Sequence, residues 1–129
     1  MSSHGTFCTV FDCMDGRTND LVNAWCRTNF GVDHPDTITI AGCDGILISD
    51  AGERERAFKL ARISAHHHGS KQAVVIGHSE CAGHMVPNEQ HKIDIEQATK
   101  LVAAPGIFEH VVGLFVDVRT GEIVEVCRI

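Results

Sequence analysis

Two short apolar runs, each ending in a group of reactive side chains, constrain this chain more than any other feature. Thr6-Phe7-Cys8-Thr9-Val10-Phe11 leads into Cys13-Met14-Asp15-Gly16-Arg17. Ala73-Val74-Val75-Ile76-Gly77 leads into His78-Ser79-Glu80-Cys81. Short continuous apolar runs, rich in β-branched residues and followed by polar or glycine-bearing loops, predict strands buried on both faces. Two thiols and an imidazole, delivered from two strand ends, make a Cys2His donor set. That set suits zinc with one coordination position left open.

The remaining pattern alternates strands with helices. After the first strand, over residues 6 to 12, a helix is expected to start near Thr18 or Asn19. Leu21, Val22, Trp25 and Cys26 recur at spacings of three and four and share one face of it. His34-Pro35-Asp36 reads as a turn, because proline restricts the residue before it. The β-branched run Thr37-Ile38-Thr39-Ile40-Ala41 predicts the second strand, with Gly42-Cys43-Asp44-Gly45 a flexible loop at its end. Asp50, followed three residues later by Glu53, signals the start of a helix. Ala57, Leu60, Ala61 and Ser64 form its small-residue face, and Gly69 ends it. Strand three covers 72 to 77. Ile93 to Ala103 reads as a helix stopped by Pro105-Gly106, and strands over 110 to 118 and 122 to 127 turn at Thr120-Gly121.

This alternation predicts a single α/β domain over 1 to 129, with an open, mainly parallel sheet and flanking helices. The last hairpin adds an antiparallel edge strand. If strands one and three are neighbours and strand two lies outside strand one, the order is 2-1-3-4 plus that edge. The chain then changes direction across the sheet between strands one and three. Ligands of open α/β sheets bind at such a switch point, beyond the carboxyl ends of the strands. Cys13, His78 and Cys81 fall there.

The 129 residues are 43% hydrophobic and carry a net charge of −6 with histidine neutral. An acidic balance argues against nucleic acid or an anionic membrane as the main partner. No apolar run approaches the roughly 20 residues of a membrane helix. Met1-Ser2-Ser3-His4-Gly5 has no basic region followed by an apolar stretch, so the expected location is the cytoplasm. Of the six cysteines, Cys8 and Cys26 fit core positions. A disulfide framework belongs to shorter secreted chains.

Zinc lowers the pKa of a bound water to roughly 7. Two thiolates moderate its Lewis acidity, so a neighbour that orients the nucleophile would help. Asp15, two residues past Cys13, is placed for that role, and Arg17 can hold it in a bidentate pair.

Taken in order, Cys13, Asp15, Arg17, His78 and Cys81 resemble the Cys-Asp-Arg and His-Cys positions of the β-class carbonic anhydrases. Gly77-His78-Ser79-Glu80-Cys81 resembles that family's Gly-His-x-x-Cys run. Ala41-Gly42 is similar to part of its Asn-Ala-Gly segment, and Val112 to Gly121 resembles its closing strand and hairpin. The resemblance implies reversible hydration of carbon dioxide, one zinc per chain, and a dimer or higher homo-oligomer with each site at a subunit interface. In some members of that family the aspartate binds zinc in a closed, inactive state until the arginine draws it away, and the resemblance leaves both states open for Asp15. The chain departs from the family in lacking a long N-terminal helical arm. Thr39-Ile40 stands where Arg-Asn is usual, Ala82 replaces a glycine after the last ligand, and there is no tyrosine.

Other readings stay open at this stage. Carbonyl sulfide or carbon disulfide, also linear electrophilic carbons, could be hydrolysed at the same site. A non-catalytic zinc-binding or bicarbonate-sensing module is the alternative from another class. Cys43 could be a fourth zinc ligand, which would close the site and make it structural. His66-His67-His68 could bind metal or be a solvated helix end. His34 and His84 could shuttle protons or be ordinary surface histidines.

Overall fold

The computed structural model describes residues 5–129; residues 1–4, on which the reading of the N-terminus partly rests, lie outside the described part. Five strands and four helices follow in the order β1 (Phe7–Asp12), α1 (Gly16–Phe30), β2 (His34–Thr39), α2 (Cys43–Ser49), α3 (Ala51–His67), β3 (Gln72–His78), α4 (Asn88–Ala103), β4 (His110–Val116) and β5 (Ile123–Arg128). The sheet order is β2-β1-β3-β4-β5. The first four strands are parallel and β5 is antiparallel to β4, as expected from the alternation of elements.

The apolar runs of β1, β3 and β4 are continuous because both faces of these strands are covered. Val10, Val74, Ile76, Val112 and Leu114 pack with Val22 and Cys26 of α1. Phe11, Ala73, Val75 and Val111 face the other way, onto Leu47 of α2, Ala57, Phe58 and Ala61 of α3, and Ala98 and Val102 of α4. Cys8 and Cys26 are fully buried core residues. Helix α4 lies close against the sheet. A β-carbon at Gly77 or Gly113 would come within 2.7 Å of Ile95.

Several boundaries differ from the sequence reading. α1 begins at Gly16, because Asp15 caps it: the carboxylate accepts from Arg17 N at 2.9 Å. β2 runs over His34–Thr39, not from Thr37 to Ala41. Pro35 fits within it because β2 is an edge strand paired on one side only. Gly42-Cys43-Asp44-Gly45 is not a flexible loop. Gly42 takes a left-handed φ of 67° and Cys43 opens a short helix that buries Cys43, Asp44 and Leu47. Asp50 caps α3 as expected, accepting from Glu53 N. Phe58, not the exposed Leu60, completes that helix's buried face. α4 starts five residues before Ile93, and Ile93 itself is exposed.

Candidate metal centre

β1 and β3 are adjacent and parallel, so their carboxyl ends open side by side. Asp12, the last residue of β1, sets the turn that follows. Its Oδ1 accepts from Cys13 N at 2.7 Å and from Thr18 Oγ1 at 2.9 Å. The other oxygen of Asp12 is buried without a partner, and burial pushes this carboxyl up to about 6.

β3 ends at His78. Its Nδ1 lies 2.7 Å from the Ser79 carbonyl, which can only accept, so Nδ1 carries a proton. In the neutral ring that leaves Nε2 with a free lone pair, and this atom is buried with no hydrogen bond of ordinary geometry. Such an anchoring of the far ring nitrogen is how metal-binding histidines are oriented.

Cys13 Sγ, Cys81 Sγ and a nitrogen of His78 all lie within 4.8 Å of one another, and all three residues are buried. The two sulfurs stand 4.0 Å apart. A tetrahedral zinc with bonds of about 2.3 Å would hold two sulfurs about 3.8 Å apart, so the donor set fits the ion with little movement. The Cys13 thiol is pushed down to about 3, first by the thiol of Cys81. Burial opposes the shift, and His78 with the backbone N–H groups of Gly42 and Asp15 reinforces it. The shared hydrogen bond pushes Cys81 up. Burial works against a charged His78, but its interactions with Cys13 and Ser79 outweigh that and raise its pKa.

Asp15 and Arg17 form the bidentate pair expected of them. Arg17 Nε donates to Asp15 Oδ1 at 3.1 Å and Nη2 to Oδ2 at 2.8 Å. The guanidinium brings the Asp15 carboxyl down to about 2. Asp15 is thus both helix cap and ion-pair partner.

Cys43 is buried just behind the cluster and does not join it. Burial, then Asp12, Asp44 and Cys13, push its thiol well up. The histidine run 66–68 forms no metal cluster among the described residues. His68 bonds Asp36 at 2.6 Å and stacks on Phe7. It borders a cavity of about 840 Å³ at the opposite, amino end of β1 and β3. His34 packs its ring against Phe7 at that same end. A smaller cavity of about 530 Å³ lies directly against Cys81, lined by Glu80, Ala82, Met85, Val86 and Pro87.

Three features escaped the sequence reading. The first is Glu80, the one described non-glycine residue with positive φ, at 55°, which binds both Arg17 and Arg119. The second is a pair of hydrogen-bonded histidines: His91 to Asp44 at 2.7 Å and His84 to Asp94 at 2.6 Å. His91, Asp94, Ile95, Ala98 and Val102 share the buried face of α4. Extending that helical spacing toward the N-terminus would have found the first two. The third is the contact of Gly42 with Gly83. A β-carbon on Gly42 would lie 2.4 Å from the Gly83 carbonyl oxygen, so the two backbones meet only because both positions are glycine.

The family model described as "Putative carbonic anhydrase" matches residues 3–127. No curated protein sequence matches the chain. Among solved structures, carbonic anhydrase from Glaciozyma antarctica superposes with a TM-score of 0.62 at 17% identity, over 92% of this chain and 81% of that one. A tetrameric β-carbonic anhydrase from Sordaria macrospora gives 0.55 at 17% identity, over 94% and 81%. The apo form of carbon disulfide hydrolase gives 0.62 at 12% identity, over 91% and 76%. With a family match across nearly its whole length and a fold shared with these neighbours, the chain belongs to the β-carbonic anhydrase family.

Proposed function

We propose that this chain is a zinc lyase that hydrates carbon dioxide reversibly to bicarbonate. The observation that supports this most is the meeting of Cys13, His78 and Cys81 at the switch point of the sheet, with Cys43 outside the group. Zinc, when bound there, supplies a water acidified to near neutrality and a Lewis acid beside the substrate. Cys13, His78 and Cys81 would hold it and leave one position open.

The chain's other residues orient and admit. Asp15 accepts a hydrogen bond from the nucleophile and so fixes the direction of its remaining lone pair. At about 2, its pKa keeps it an acceptor at any neutral pH. Arg17 occupies both carboxylate oxygens and fixes the plane of the group. Ala82, Met85, Val86 and Pro87 give the adjoining cavity an apolar wall, suited to an uncharged linear molecule.

The likeness to carbon disulfide hydrolase favours a second reading, hydrolysis of carbon disulfide or carbonyl sulfide by the same groups. We place the protein in the cytoplasm as a homodimer or higher homo-oligomer of a single domain over 1 to 129; one structural neighbour is tetrameric. Among the described residues, no helix is long and apolar enough to cross a membrane. The deciding experiment is stopped-flow turnover of carbon dioxide against carbonyl sulfide and carbon disulfide, with metal content measured on the same sample. Zinc-loaded protein with carbon dioxide turnover supports the first reading, and turnover of the sulfur compounds alone supports the second. Metal without turnover of any of them would leave a zinc-binding module.

A further inference from the structure

Arg17 is held by more than Asp15. Its Nη1 donates to Glu80 Oε1 at 2.9 Å, and Nη2 reaches the Glu80 carbonyl at 3.4 Å. The other Glu80 oxygen binds Arg119 Nε, from the turn between β4 and β5. The result is a chain of alternating charge, Asp15–Arg17–Glu80–Arg119, that ties the start of α1 to the turn after β3 and to the sheet's far hairpin. Both arginines pull the Glu80 carboxyl below its usual range, Arg119 first. Arg17 is half exposed. An exposed ion pair with Asp15 alone would be weak and mobile. A network with a second anchor on another element restricts the guanidinium to one position.

We propose that Glu80 is a positioning residue, whose carboxylate fixes Arg17 and thereby keeps Asp15, which lies outside the Cys13–His78–Cys81 group, from ligating the metal itself. The inference rests on the zinc reading above. Asp15 follows Cys13 by two residues, and a carboxylate is itself a competent zinc ligand. An unclamped Asp15 therefore competes with outside anions for the open position. The left-handed backbone at Glu80 costs conformational energy for a residue with a β-carbon, and it occurs where the side chain makes this bridge.

The test uses protein in which cobalt(II) replaces zinc, titrated with azide and followed by visible absorption. Removing a negative charge near the site should by simple Coulomb attraction tighten azide binding. The proposal requires the opposite sign. Glu80→Ala should weaken azide by about tenfold, the scale of lost outer-shell support at metal sites. Glu80→Gln, which keeps the volume and an acceptor, should weaken it by less. In an Asp15→Asn background, whose amide competes poorly for the metal, the Glu80→Ala effect should vanish. Unchanged or tighter azide binding in Glu80→Ala overturns the proposal. So does weakening that persists with Asp15→Asn, because Glu80 would then act by another route. Failure of the unmodified chain to take up cobalt would overturn the zinc reading beneath it as well.

Discussion

Two clusters of metal-binding residue types, Cys13–His78–Cys81 and Asp44–His84–His91, each draw a member from the loop after β3, and they differ in one respect. In each, a buried histidine is fixed through Nδ1 while its Nε2 has no partner: His78 by the Ser79 carbonyl, His91 by Asp44. Around His78 the other donors are sulfurs at a separation that suits an ion. Around His91 the histidines and carboxylates are already bonded to each other, at 2.7 and 2.6 Å. Two ligands of one tetrahedral ion with bonds of 2.0–2.1 Å would stand about 3.3 Å apart. The bonded atoms there are therefore spent on each other, and Asp44, His84 and His91 bring atoms within 4.8 Å of one another only beside those bonds. The second cluster works as a brace, pinning the loop after Cys81 through His84 to α4, and α4 through His91 to the first turn of α2. Similar residue types make a socket whose spacing suits an ion in one place and a clasp in the other.

The largest effect that can break this contrast is loss of metal. Cys13→Ser, His78→Ala or Cys81→Ser should reduce zinc from about one per chain to near none and lower turnover at least about a thousandfold. His91→Ala should leave the zinc content unchanged. Atomic absorption on the purified variants checks both, and a second zinc lost with His91 would show that the clasp is a socket after all. Asp15→Asn should keep the zinc and cost about 10- to 100-fold in turnover; unimpaired stopped-flow rates would remove Asp15 from the mechanism.

The clasp should register in stability instead. His91→Ala strands the Asp44 carboxylate in a fully buried position, and such a loss costs about 3 kcal/mol. Denaturant unfolding of the zinc-loaded protein would measure it, and a change under half that size would mean that water replaces the imidazole. The smallest effect concerns acid. The Asp15 carboxyl is depressed from 3.8 to about 2 in the folded chain. At low pH the unfolded chain binds the proton first, so the stability from this pair is complete above 3.8. It is lost as pH falls from 3.8 through about 2. The carboxyl signal of Asp15 followed by NMR should titrate near 2, and a midpoint near 4 would show that Arg17 does not hold it in solution.

Much of this architecture is legible in the sequence because burial on both faces leaves an unbroken apolar signature in β1, β3 and β4. The donor triad could be read for a related reason: cysteine and histidine directly after such strands have little other business there. Asp44 and His91 left no comparable trace. Their partnership depends on α2 starting directly after Gly42, and a glycine-cysteine-aspartate-glycine stretch looks like loop until its left-handed first residue is known. His34-Pro35 looked like a turn because local preference against proline ignores that an edge strand has a free side. Glu80 could not be found either. Its partners lie far away in sequence, on α1 and in the last hairpin, and only the assembled sheet brings them together.

The paired glycines 42 and 83 carry one more implication. Where two backbones touch without side chains between them, neither can shift unless the other yields. Gly42 also offers its N–H to the sulfur of Cys13, while Gly83 and His84 offer theirs to the sulfur of Cys81. The two sulfurs therefore share one mechanical linkage. A displacement of the outer loop would move the N–H groups beside both sulfurs together.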